Sequence, residues 1–236
     1  MNGNNAFFMS SPLNYARQVA INLINMAPAR REAGPAVERA ALGLLDAQRQ
    51  GHFDLSPEVI AGRQNVSLRP VIGGVVGAAG ADVPIGAYWC PYKPPATQGS
   101  ALSSVPHVDL PKANPQFRFM FTGAMNGCSL VVLNLAGKLR VYHDSLHHAD
   151  TFANQQPVLR LDYCARYFNS PYFYYPSDAN GGQACNFLYY DGAAAGGARW
   201  TVICQPQLSA GAGDLTGRSP MQLNPAIAPY QVPVPY

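Results

Sequence analysis

A chain of 236 residues is long enough for one domain with a sizeable buried core. Its charged residues amount to 12%, and the net charge of +3 is spread thinly without a Lys/Arg run, so nucleic acid is not expected as a partner. No uncharged apolar run reaches the ~18 residues of a membrane span, and the longest, over 71–81, is rich in glycine.

The N-terminus lacks a basic region ahead of an apolar core and a small-residue cleavage site. Export, if it occurs, is expected to use a route without a cleaved signal. The 22 glycines and 21 prolines favour short strands and loops over long helices. Five cysteines, Cys90, Cys128, Cys164, Cys185 and Cys204, show no C-x-x-C spacing, so neither a zinc site nor a disulfide framework is expected. Four of them lie among apolar and aromatic neighbours and read as small buried hydrophobes. Cys128 alone follows a glycine in a turn.

In chain order, Ser11-Pro12 reads as a helix start, with Leu13, Ala16, Ala20, Leu23, Ile24 and Ala27 as one apolar stripe. After an interruption from Pro28 to Pro35, a second helix carries Val37, Ala40, Ala41, Leu44 and Leu45 toward a sheet. Ser56-Pro57-Glu58 is expected to open a further single helical turn. From Val66 the pattern becomes β, with candidate strands over Val66–Val76 and Ile85–Cys90. Residues 91–116 form a long Pro-rich connection. Cys185–Tyr190 and Ala198–Gln205 read as two later strands. The aromatic stretch 163–175 reads as a wall over the sheet or a protein-binding surface, and the tail 218–236 as extended Pro-rich chain. The expected fold class is α+β: one domain over 1–236, with a helical part over 11–50, a β-rich core over 66–205 and the Pro-rich tail over 218–236.

Chemistry concentrates in the segment 117–145. The runs 128–135 and 138–144 are both β-rich, with Ala136-Gly137 between them. A two-residue turn there pairs Leu135 with Lys138 and places His143 opposite Leu130. Cys128 is two residues from Leu130 and shares its face. Thiol and imidazole become diagonal cross-strand neighbours, expected to point outward at the mouth of the hairpin. Their Cβ atoms would lie about 7–8 Å apart or less. A one-residue slip would put them on opposite faces. Asp144 falls on the face opposite His143. His147 and His148 read as loop residues, and a metal site on His143 and His147 is not expected because the β pattern runs into His143.

Thr122, the Asn126-Gly127-Cys128 turn and His143 on the following strand together resemble the Cys-His glutamine deamidases. These are the cytotoxic necrotizing factor catalytic domain, the Burkholderia lethal factor toxin and the chemotaxis receptor deamidase. The resemblance covers only 117–145, with Asn126 where the toxins usually carry Ser. It implies two packed mixed sheets flanked by N-terminal helices and long Pro/Gly-rich loops. It also implies a catalytic Cys128 and His143, with Thr122 holding the imidazole and Asn126 and Gly127 forming an oxyanion turn. No metal or organic cofactor would be needed. The implied protein is a bacterial toxin or effector delivered to a host cytosol, deamidating or transglutaminating a glutamine of a host protein. A Rho-family GTPase or a translation-initiation helicase are the candidate targets. The rival readings are a cysteine peptidase or amidase and a non-enzymatic binding module.

Overall fold

The computed structural model describes residues 3–26, 36–71, 83–92, 105–144, 152, 154–163, 182–212 and 218–236. Among the described residues the helical elements are α1 (Asn4–Ser10), α2 (Pro12–Gln18), α3 (Ala36–Gln48) and a 3-10 turn at Ile24–Met26. Thirteen strands supply the rest: β1 (Ile21–Asn22), β2 (Gln50–Ile60), β3 (Arg63–Val71), β4 (Ile85–Cys90), β5 (His107–Pro111), β6 (Phe119–Thr122), β7 (Ser129–Leu135), β8 (Lys138–Asp144), β9 (Leu159–Asp162), β10 (Gln183–Asp191), β11 (Arg199–Ser209), β12 (Met221–Leu223) and β13 (Tyr230–Pro233).

The expected α+β class is therefore corrected to a mostly β fold, with 49% strand against 18% helix over the described residues. The expectation of two mixed sheets is corrected with it. One sheet has nine strands in the order β1-β3-β2-β4-β6-β10-β11-β12, with β13 also on β11. It is mixed, since β1 runs parallel to β3 and β4 parallel to β6. The second sheet, β5-β8-β7-β9, is antiparallel throughout.

The large sheet curls until its ends nearly meet. Gln205 and Gln207 on β11 close the seam with their side-chain amides. The Ile21 N–H of β1 donates to Gln205 Oε1 (2.9 Å), and Gln207 Nε2 donates to the Ile21 carbonyl (2.9 Å). Gln205 Nε2 also donates to the carbonyls of Ala16 and Val19, both at 2.7 Å, which ties the end of α2 to the same strand. Side chains of β11, itself paired on both sides, thus satisfy backbone groups of β1 and the end of α2 that have no ladder partner there.

Alternation along the strands sorts the core into two layers. Phe53, Leu55, Leu68, Trp89, Phe121, Phe187 and Ile203 fill the concave side of the large sheet together with Phe8 and Tyr15 from the first two helices. Tyr88, Cys90, Met120, Leu188, Trp200 and Val202 cover the convex side, against Leu130, Val132, Leu139, Val141 and Leu161 of the small sheet. Hydrogen bonds pin the layers, among them Trp200 Nε1 to the Pro111 carbonyl (2.8 Å) and Cys90 Sγ to the Val141 carbonyl (3.4 Å).

Several local expectations are revised. Ser56-Pro57-Glu58 lies inside β2 rather than opening a helical turn. β4 flanks only Gln50–Phe53, so Pro57 has an open edge on which to leave its missing N–H. The first helix stops at Gln18, because the chain then extends into β1. In α3 only Ala41, Leu42 and Leu45 are buried, while Val37 and Leu44 face solvent. The tail is extended and paired, with β12 and β13 both on β11. Among the described residues no helix is long and apolar enough to cross a membrane. His147, His148, Cys164 and the aromatic stretch beyond Tyr163 lie outside the described residues.

Candidate functional site

The hairpin β7–β8 pairs Leu135 with Lys138 and Leu130 with His143. Gly137, at φ 73°, supplies the left-handed turn residue that a two-residue connection requires. Cys128, Leu130 and Val132 share the face that packs on the large sheet, and His143 follows Leu139 and Val141 on that same face. Asp144 and Ser129 belong to the outer face, where Ser129 Oγ donates to Asp162 Oδ1 (2.6 Å).

The expected outward presentation is corrected. Cys128 is 5% exposed and His143 1%, because their face is the one that closes against the other sheet.

Thr122 reaches His143 from that opposite sheet. It ends β6 beside Cys90, its parallel-strand partner at the end of β4. The Thr122 hydroxyl donates to the Cys90 carbonyl (2.9 Å) and lies 2.7 Å from His143 Nδ1. A hydroxyl has one hydrogen, so with that hydrogen on Cys90 it can only accept from the imidazole. Nδ1 then carries the proton, and Nε2 presents a lone pair. Nε2 is buried and has no hydrogen-bond partner. Burial alone holds the His143 pKa down to about 3, so the ring is neutral at rest.

The Cys128 thiol donates to the carbonyl of Asn126 within its own turn (3.8 Å). That turn is held at both ends. The Gly127 N–H donates to the Tyr163 carbonyl, and the Tyr163 N–H donates to the Cys128 carbonyl, each at 2.9 Å. Gly127 adopts φ 80°, which is why glycine stands there. Its N–H is thereby taken, so the oxyanion role expected of that group is corrected. Asn126 is exposed.

Two residues at the site escaped sequence reasoning. Cys90 fixes the Thr122 hydroxyl through its backbone carbonyl, and its own thiol is pushed up to about 12 by burial. Tyr92 lays its ring on the imidazole, with centroids 4.6 Å apart at 40°. A backbone carbonyl leaves no trace in residue type, and Tyr92 stood in a Pro-rich stretch without periodicity. Among the described residues, no group of three or more His, Cys, Asp or Glu side chains could hold a metal ion.

A family model described as the Mcf1 activator-binding domain matches residues 78–218. The chain belongs to that family. The part shared with the Mcf1 activator-binding domain runs from just before β4 to just before β12, and so contains Cys90, Tyr92, Thr122, Cys128 and His143. It leaves out the three helices, β1–β3 and the last two strands. The Mcf1 activator-binding domain is a different family from the glutamine deamidases that the hairpin resembles. No curated protein matches the chain.

Proposed function

We propose that this protein is a Cys-His amidohydrolase that deamidates a glutamine side chain of a partner protein. The observation that carries the reading is the Thr122–His143 hydrogen bond, which leaves Nε2 as an unpartnered base on the face shared with Cys128. With the carboxamide in place, the thiol hydrogen turns from Asn126 to Nε2 as sulfur attacks the amide carbon. The imidazolium gives that proton to the departing ammonia. Water then enters, Nε2 takes its proton, and the thioester opens to carboxylate and thiol. A neutral imidazole at rest means that the thiolate forms only during attack. Transfer to an amine instead of water would make the same acyl-enzyme a transglutaminase. A partner protein with the Rho-family GTPases or translation-initiation helicases as candidates, and delivery of a bacterial effector to a host cytosol, complete the proposal.

The family name supports a second reading, binding of an activator by a domain without chemistry of its own. The depth of Cys128 and His143 also favours it. Intact mass spectrometry of candidate partners separates the two. Deamidation adds about one dalton per converted glutamine and is lost in Cys128→Ser. Equal partner binding by wild type and Cys128→Ser, with no mass change in any candidate, leaves the binding module.

A further inference from the structure

Among the described residues, several close around the imidazole of His143. Thr122 occupies its Nδ1 edge, and the hairpin carries it from behind. Gly123 lies at its Cε1 edge, where an added Cβ would stand in ordinary van der Waals contact with His143 Cε1 (3.8 Å) and Tyr92 Cβ (3.7 Å). Tyr92 lies on the ring itself and is only half-buried, whereas Thr122, Cys128 and His143 are all buried. Its phenol is raised by burial and next by Cys128, which puts phenol and thiol in one neighbourhood.

We propose that Tyr92 is the positioning residue of this site: its ring is the solvent-side wall of the imidazole, keeping water off His143 and defining the path by which a carboxamide meets Cys128. The inference rests on the Cys-His reading and deepens it, since an approach past one aromatic ring to a buried thiol would suit a slender side-chain amide better than a branched backbone amide. Among the described residues, the titratable groups around the ring are Cys128, Cys90 and Tyr92, while Asp144, next along β8, faces the other side of the sheet. Water exclusion by the Tyr92 ring is a physical source for the low His143 pKa.

The test compares wild type with Tyr92→Phe and Tyr92→Ala in the full chain. His143 is titrated by NMR, its signal assigned by loss in His143→Gln, and Cys128 alkylation by iodoacetamide is timed. Tyr92→Ala is expected to raise the His143 midpoint by about one pH unit or more and to speed alkylation several-fold, as water and reagent reach the ring. Tyr92→Phe is expected to track wild type. Wild-type behaviour of Tyr92→Ala in both measurements overturns the proposal, and so does a Tyr92→Phe that behaves like Tyr92→Ala. Should Tyr92→Ala not fold, Tyr92→Leu is judged by the same criteria. The titration needs no substrate, so a moved His143 in a protein that deamidates nothing sinks the enzymatic reading alone.

Discussion

Removing the Thr122 hydroxyl while keeping its shape, in Thr122→Val, strands two buried groups at once: the Nδ1–H of His143 and the carbonyl of Cys90. The expected loss is about 2 kcal/mol or more of stability by urea denaturation, at about 1–3 kcal/mol for each buried group left unpaired. Any deamidase activity should fall further than stability does, because the imidazole loses the contact that sets its tautomer. His143 also predicts an acid response. Its folded pKa lies near 3, below the ordinary 6.5, so the unfolded chain binds the extra proton first. Stability should be intact above about pH 6.5 and fall as pH drops toward 3. Replacing the ring in His143→Phe should flatten that slope in denaturation curves taken across the window. The thiols offer a third check. Burial raises Cys185, holds Cys90 near 12 and Cys204 near 11, so at pH 8 an electrophile should label Cys128 ahead of these three. Peptide mapping that finds uniform inertness would argue for the binding module.

Among the elements, the hairpin β7–β8 was the most legible, for a simple reason. Strand alternation has a period of two and the Ala136-Gly137 turn has a short, glycine-marked length, so register and face followed from counting. Gly137→Ala should cost about 1 kcal/mol by thermal unfolding, since a Cβ disfavours φ 73°. Strand β2 was the least legible. Ser56-Pro57-Glu58 has the residue types of a helix start, and only the short reach of β4 makes Pro57 acceptable in a strand. The second helix was located, but three of the five residues of its expected apolar stripe, Val37, Ala40 and Leu44, are exposed. Val37 and Leu44 lie on the solvent face, because the only side chains that α3 buries are Ala41, Leu42 and Leu45.

The whole molecule depends on the seam where the curled sheet nearly closes. Gln205→Leu keeps the volume but leaves the Ile21 N–H and the carbonyls of Ala16 and Val19 without their partner. It should destabilise the protein by about 3 kcal/mol or more at 1–3 kcal/mol per stranded group, with faster hydrogen exchange at Ile21 as the local signature. Nothing in the residue pattern announces this seam, since a glutamine in a strand reads as an exposed position until another edge arrives beside it.

By itself the sequence determined the hairpin, its register and the shared face of Cys128 and His143, because backbone geometry repeats over two residues and needs no distant partner. It could not say whether that face meets water or another sheet. Tertiary structure decided that it meets β4 and β6, which buried the dyad, brought Thr122 and Tyr92 onto the imidazole, and spent the Gly127 N–H on Tyr163. Those outcomes rest on contacts between segments far apart in the chain and on backbone atoms that every residue shares.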